Sequence, residues 1–235
     1  MEGVDIAQFS DIYNRVLRYS DTSDSVTAKA LVNDIYRDIV RETEIKAAKV
    51  SKSLTAGTVF YTISVTFAIS DLLSIKYIEY SASGSTDSYP VVPTSLEEIL
   101  ALRNQSTPSG VVRLYAMRDY DTLELYPAPQ TTGDTLDIYY VQAPTALSAD
   151  SDLPSAIPSE FHDTITFGAT ARMCEDEDAD LAETYEQKYQ RRLNLLRWYV
   201  RERVGNIPRR TRVGYPTRRT QMPHDRSSYY TGDSR

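Results

Sequence analysis

Hydrophobic residues recur at helical spacing near both ends of this chain. Four segments place apolar side chains at every third or fourth position: residues 5–19, 26–50, 161–174 and 178–204. Capping residues support two of them, since Asp24 or Ser25 opens the second helix and Asp178 or Asp180 opens the fourth. The pattern predicts two helices before and two helices after a middle region of different character.

The period changes to two in the middle of the chain. Five segments there are rich in β-branched and aromatic residues and have the character of strands: residues 57–65, 75–80, 111–117, 122–126 and 134–142. A short helix is predicted over residues 94–102, because Thr94 or Ser95 is followed by glutamates in a capping-box arrangement. The middle region is therefore predicted to form a small antiparallel sheet or sandwich.

An amphipathic helix must bury its apolar face against another element. We therefore predict an α+β fold, in which an antiparallel helical bundle of two N-terminal and two C-terminal helices carries an inserted small antiparallel β-domain and an extended C-terminal arm. The predicted division is residues 1–50 for the first helices, 51–143 for the β-subdomain, 144–205 for a proline connector and the last helices, and 206–235 for the arm.

Charge is distributed unevenly along the chain. Residues 189–235 contain twelve arginines and no lysine against three acidic residues, a net charge of +9. Residues 1–188 carry 14 basic against 30 acidic residues, a net charge of −16. An acidic body with a basic arm is typical of a protein whose arm meets a partner, and a solubilising tail is the alternative. Arginine suits bidentate, partly buried pairing better than lysine does.

Few residues offer catalytic chemistry, and the sequence predicts no enzyme, no cofactor and no metal. His162 and His224 are the only histidines, and we interpret His162 as a structural or surface residue at a helix start. Cys174 sits among small residues and is interpreted as core. The acidic run at residues 175–180 offers oxygen ligands for Mg²⁺ or Ca²⁺, but a solvated helix cap is the favoured interpretation.

The composition predicts a protein outside the membrane. No stretch of about 18 apolar residues occurs, and the N-terminal residues lack the basic and apolar regions of a signal peptide. A single cysteine cannot form an internal disulfide, which is typical of a reducing compartment such as the cytoplasm.

Nucleic-acid binding is the alternative use of the arm. Arginines interleaved with tyrosines neutralise phosphates and stack on bases in single-strand binders. The acidic body opposes this, because its negative field repels a duplex lying along it. Steep salt dependence would distinguish phosphate binding from a packed protein interface.

Several segments resemble the head-to-tail adaptor, or connector, proteins of tailed bacteriophages. The likeness covers roughly residues 26–204 and is carried by the alanine-rich end of the second helix at 45–50, the strand entry at 54–63, the Tyr-Pro-Ala-Pro strand end at 123–129, the strand leading to a proline at 133–144 and the segment before the third helix at 153–170. Layout and loose motifs carry this likeness.

The resemblance implies a structural virion protein in the neck between capsid and tail, assembled in the host cytoplasm. It implies a ring of about twelve copies that binds the portal protein, extends the DNA channel without specific DNA binding and meets a downstream tail or nozzle protein. The residues expected to bind the portal lie in the arm: Pro208, Arg209, Arg210, Arg212, Tyr215, Pro216, Arg218 and Arg219. Trp198 and Tyr199 are expected either at the root of the arm or in the core.

Overall fold

The computed structural model describes residues 7–106 and 108–204 of the chain. Its helices are α1 (Phe9–Tyr19), α2 (Ser25–Thr43), α3 (Ile63–Thr66), α4 (Leu96–Gln105), α5 (His162–Cys174) and α6 (Ala179–Val204), with a 3₁₀ turn at Ser159–Phe161. Its strands are β1 (Ala47–Ser53), β2 (Phe60–Thr62), β3 (Leu72–Ser81), β4 (Ser88–Pro93), β5 (Ser109–Gly110), β6 (Leu114–Met117), β7 (Thr122–Tyr126), β8 (Ala128–Pro129) and β9 (Thr135–Gln142). The predicted α+β class is confirmed for the described residues.

Capping residues set the ends of the first helices. Asp24 opens α2, where its carboxylate accepts hydrogen bonds from the backbone N–H groups of Val26 and Thr27, both at 3.1 Å. The same helix ends when Glu44 adopts the left-handed conformation at φ 52°. The prediction that this helix reaches residue 50 is therefore wrong.

Residues after Glu44 form a strand instead of more helix. Strand β1 pairs antiparallel with β9, in a register that runs from Ala47 opposite Val141 to Ser53 opposite Thr135. The ladder of backbone hydrogen bonds with β9 makes these residues a strand despite their helical pattern. Because β9 is distant in sequence, the local pattern does not reveal this pairing.

Seven strands form one curled sheet in the order β1-β9-β3-β4-β6-β7-β2, and β5 pairs with β8 in a separate ribbon. The seven-stranded sheet is antiparallel except for the parallel pair β4–β6, and the separate β5–β8 ribbon is also parallel, which corrects the prediction of a purely antiparallel sheet. The predicted strand at residues 57–65 is also shorter than expected. Only Phe60–Thr62 is strand, and α3 follows, where the backbone N–H of Ser64 donates a hydrogen bond to Asp121 at 2.8 Å.

The buried hydrophobic residues of the described chain form two cores. One lies among α1, α2, α5 and α6, and the other lies within the curled sheet. Strand β9 serves both, because Leu136, Ile138 and Tyr140 face the sheet core while Val141 packs into the helical core. Helix α5 packs against α1, α2 and α6. The antiparallel order of the helices and the division into domains stay predictions, and the arm lies outside the described residues.

The connector that follows β9 is held against α2. The side chain of Asn33 donates to the carbonyl of Leu147 at 3.0 Å and accepts from its N–H at 2.7 Å. Further along, the hydroxyl of Tyr36 accepts from the N–H of Ala156 at 2.9 Å. These bonds satisfy backbone groups that a proline-rich segment leaves unpaired, and they tie the sheet half to the helical half.

Asp134 organises the turn before β9. Its buried carboxylate accepts hydrogen bonds from the hydroxyl of Tyr80 at 2.6 Å and from the N–H groups of Ser83 at 2.9 Å and Thr131 at 3.2 Å. Burial opposes ionisation, yet these three donors hold the pKa of Asp134 below its usual range. The ionised form therefore stabilises the fold.

We predict that Asp134→Ala lowers the free energy of unfolding by about 3 kcal/mol, because a buried hydroxyl and two amides lose their acceptor. Since the folded-state pKa of Asp134 lies below its unfolded value, its stabilisation is present at neutral pH and is lost as the pH falls through that depressed pKa. With Asp134→Asn, the free energy of unfolding should therefore depend less on pH in the acidic range. Urea unfolding between about pH 2 and pH 7 measures this.

The matched control is Asp87→Ala, since Asp87 is exposed in the loop between β3 and β4. We expect that control to change the free energy of unfolding by less than about 0.5 kcal/mol. Equal urea midpoints for the two alanine variants would contradict a structural role for the Asp134 hydrogen bonds.

A glycine sets the distance between α5 and α6. A Cβ atom at Gly168 would lie 2.9 Å from Cδ2 of Tyr189 and 3.0 Å from Cγ2 of Ile35. The two helices therefore approach more closely than any larger residue permits.

We predict that Gly168→Ala destabilises the protein by about 1–3 kcal/mol through overpacking. Helix propensity alone favours alanine by about 1 kcal/mol, so a net loss reports the close contact. Gly110→Ala is the control, because no atom lies within 4 Å of its Cβ position. A thermal melt in which Gly168→Ala is the more stable variant would show that α6 shifts away without cost.

Candidate interaction surfaces

Two neighbouring aromatic residues in the last turns of α6, Trp198 and Tyr199, lie in different environments. Trp198 is 59% exposed, and Leu195 on the same face is 45% exposed. Tyr199 turns inward, where its ring lies 5.4 Å from that of Phe161 and its hydroxyl accepts from Arg203 at 2.8 Å. Tyr199 therefore packs with the core, while Trp198 stands on the surface a few residues before the helix ends.

The predicted portal-binding residues lie in the arm, beyond the described part of the chain. These residues are Pro208, Arg209, Arg210, Arg212, Tyr215, Pro216, Arg218 and Arg219. Their role stays a prediction. Helix α6 ends at Val204, so the surface around its last turns is the nearest described surface to them in sequence.

A cleft of about 440 Å³ lies between α2, α5 and α6. Five carboxylates line this acidic cleft: Asp38, Glu42, Glu175, Glu183 and Glu186. Two of them have cationic partners, because Arg172 donates to Asp38 at 2.6 Å and Arg197 pairs with Glu42. The cleft therefore holds more negative than positive charge.

Tyr189 lines the acidic cleft and is buried, with only 6% of its surface exposed. Burial raises the pKa of Tyr189, and the carboxylates of Glu42, Asp38 and Glu186 raise it further. The phenol is thus neutral, and it offers both a donor and an acceptor beside the carboxylates.

Sequence reasoning missed the acidic cleft because its residues come from three helices. It singled out instead the acidic run at residues 175–180, of which only Glu175 lines the cleft. The available signal was the spacing of acids at i and i+4 in α2, and at i and i+3 in α6. Those spacings place each pair on one helix face, but only packing brings the faces together.

The acidic run itself caps α6. The carboxylate of Asp178 accepts from the backbone N–H of Leu181 at 3.0 Å, and the N–H of Asp178 bonds to the carbonyl of Cys174 at 2.9 Å. The capping interpretation is therefore confirmed for Asp178. Among residues 7–106 and 108–204, no three His, Cys, Asp or Glu side chains are grouped closely enough to hold a metal ion.

His162 and Cys174 are both buried. The Nε2 atom of His162 lies 3.1 Å from the carbonyl oxygen of Ile157, and burial lowers the pKa of its imidazole. Burial likewise raises the pKa of the Cys174 thiol. A neutral imidazole and a protonated thiol inside α5 fit packing roles, in line with the interpretation of Cys174 as core.

The sheet half carries a different surface. An apolar groove of about 720 Å³ lies where β4 leaves β3 to pair with β6, and it is lined by the first residues of β3, the start of α4 and the end of β6. Tyr120 stands at this groove with 93% of its surface exposed. Beside the sheet, Arg103 and Arg118 each lie over the ring of Phe60, and both pair with the fully buried carboxylate of Glu124.

Comparison with known proteins identifies the family. The chain matches the model of the SU10 adaptor protein family over residues 7–218, which is most of its length. No curated protein matches it significantly. In the described residues, no helix combines the length and apolar character needed to cross a bilayer.

The match extends past α6 and includes part of the arginine-rich segment. It confirms the resemblance to phage adaptors that the sequence suggested, and it gives the chain a structural role in the virion. The chain belongs to the SU10 adaptor family of bacteriophage head–tail proteins.

Proposed function

We propose that the chain forms a ring that joins the portal to the tail and extends the DNA channel, and that it docks on the portal through its C-terminal arm. Its partners are the portal protein, neighbouring copies of itself in a ring of about twelve, and a downstream tail or nozzle protein. Its place is the neck of the virion, and assembly takes place in the host cytoplasm.

The family match carries this proposal. It runs to residue 218, so the matched region includes Arg209, Arg210, Arg212 and Arg218 together with the folded body. A family of adaptors is defined by joining one component to another. A segment that adds five arginines within eleven residues, from Arg209 to Arg219, has the charge to make such a joint.

The composition of the arm suits an extended docking element. Pro208 and Pro216 restrict the backbone to extended conformations, which lowers the entropy lost on binding. Binding of the arm to the portal would also make ring formation wait until the portal is present.

The charge of the body suits a channel through which DNA passes. Residues 1–188 carry a net charge of −16, which repels phosphates and limits adhesion of the passing duplex. The basic arm is best neutralised on a protein partner. This division of charge supports an adaptor in which DNA is conducted and not bound.

We predict that Arg209→Glu, Arg210→Glu and Arg212→Glu together abolish docking while the body stays folded. Full-length protein is mixed with portal rings from the same genome and imaged by negative-stain electron microscopy. Wild-type chain should add a collar of density to the portal, and the reversed arm should add none, because three attractive pairs become repulsive.

The matched control reverses three exposed cations of the body that form no ion pair with any described residue: Arg37→Glu, Lys52→Glu and Arg113→Glu. This control should still form the collar. A normal collar with the reversed arm would exclude the arm as the docking element. Absence of any collar, with salt-sensitive retention of wild-type chain on duplex DNA that the reversed arm loses, would instead favour nucleic-acid binding by the arm.

A further inference from the structure

We infer that residues 227–231, near the C-terminus, add a strand to the open edge of β3 in the apolar groove. This segment has the sequence Ser-Ser-Tyr-Tyr-Thr and lies beyond the described residues. It also lies beyond residue 218, where the family match ends, and beyond the arginines proposed to bind the portal. The inference therefore does not depend on portal docking.

The sheet splits beside the groove and leaves part of β3 without a neighbour. Strand β9 pairs with β3 over most of its length, but β4 pairs with it only at Ile78–Ser81. The next residues of β4, Val92 and Pro93, pair with β6 instead. No described strand therefore pairs with Leu72–Ile75 on the β4 side, and the backbone groups on that edge can accept an added strand.

The side chains beside this edge are apolar or uncharged. Every residue that lines the groove is uncharged, and Leu72, Leu96 and Met117 are among them. All four residues of Leu72–Ile75 are half-exposed, whereas a strand with one covered face alternates buried and exposed residues. The described chain thus covers neither face of this part of β3 completely. An open edge beside an apolar groove is the combination that binds an extended segment.

Charge favours the distal part of the arm as the occupant. Residues 205–220 contain five arginines and no acid, a net charge of +5. Residues 221–235 contain two arginines and two aspartates, a net charge of zero with His224 neutral. A lining without charged side chains offers no counter-charge to the proximal arginines, so burying that part of the arm is costly. The distal part carries no such excess charge.

Residues 227–231 have the side chains of an added strand. Tyrosine and threonine favour strands, and they fill the last three of these five positions. Successive residues of a strand point to opposite faces, so Tyr229 and Tyr230 would place one ring on each face of the sheet. This suits Leu72–Ile75, where both faces are only partly covered. Each ring can bury its apolar body against these residues while its hydroxyl stays in water.

The arm is long enough to reach the groove. About 25 residues separate Val204 from Tyr229, and an extended chain of that length spans up to about 80 Å. A compact body of about 200 residues is only about 40 Å across. Residues 1–6 are too short for this role, since a strand of about five residues leaves only about one to cover the distance from α1.

Disulfide trapping in the full-length chain tests the contact. The variant carries Ser74→Cys in the groove and Ser228→Cys in the segment, and Cys174 stays in place because it is buried. Oxidation should join the two introduced cysteines, and mass spectrometry of the digested protein identifies the linked peptides. A link within one chain and a link between two chains both support the inference, and a non-reducing gel shows which copy supplies the segment.

The matched control places the first cysteine on another edge of the same sheet. Ser53→Cys lies at the exposed end of β1, which is an edge strand without the groove. Paired with Ser228→Cys, it should give about tenfold less crosslink, because the segment is concentrated at the groove and not at β1. Equal yields at Ser53 and Ser74 would mean random collision and would overturn the inference.

Hydrogen exchange gives a readout that needs no cysteine. Ser228→Pro removes a backbone N–H from the middle of the added strand, while Ser234→Pro is a control outside the segment. Relative to wild type, Ser228→Pro should speed amide exchange at Leu72–Ile75 by about tenfold, because the strand that protects the edge is lost. Exchange at Ala47–Ser53 in β1 should stay the same. Identical exchange at Leu72–Ile75 in all three proteins contradicts the added strand.

Portal imaging separates this inference from the proposed function. Ser228→Pro leaves the arginines at 209–219 unchanged, so it should still form the portal collar. A collar with wild-type chain, but no crosslink and no protection of β3, overturns the added strand and leaves the adaptor function standing. A crosslink and protection without any collar support the added strand and count against portal docking. If β3 is protected only when a downstream tail protein is added, the groove binds that protein and the inference is overturned.

Discussion

The contact between Gly168 of α5 and the ring of Tyr189 of α6 governs the C-terminal half of this protein. It brings α6 against α5 at a distance that no side chain larger than hydrogen allows. Because α6 runs on to Val204, its position on α5 also places the surface from which the arm departs. The same contact holds Tyr189 in the cleft that α6 forms with α2 and α5. The packing of α6 therefore also brings the carboxylates of that cleft together.

The sheet half depends on a different constraint, the pairing of β9 with both β1 and β3. Asp134 sets the turn from which β9 starts, and the connector after β9 is pinned to α2 through Asn33 and Tyr36. The two cores therefore meet along one strand and are not joined by a flexible linker. Force applied to the sheet would reach the helices through these hydrogen bonds, which suits a component that stays rigid within an assembly.

Charge is arranged for assembly more than for chemistry. Among the described acids, Asp178 caps α6, Asp134 holds the turn before β9 and Glu124 pairs with two arginines. The buried histidine and cysteine have pKa values displaced in the directions that keep them uncharged. What remains for function is surface: an acidic cleft, an exposed Trp198 and an arginine-rich segment beyond α6. These are the features of a protein that recognises other proteins.

The sequence by itself determined the elements whose pattern is local. Periodicity located α1, α5 and α6 together with β7 and β9, a capping box located α4, and counting charges separated an acidic body from a basic arm. The resemblance to phage adaptors also followed from local sequence, since each segment that carries it spans fewer than about twenty residues.

Only the tertiary structure decided where α2 ends, because residues 47–53 pair with a strand almost ninety positions away and no local period records that partner. The parallel pairing of β4 with β6 was hidden for the same reason. The acidic cleft is the clearest case, since its carboxylates come from α2, α5 and α6 and become one site only when α6 packs against Gly168. Sequence determines which face of a helix is charged, whereas packing decides which faces meet.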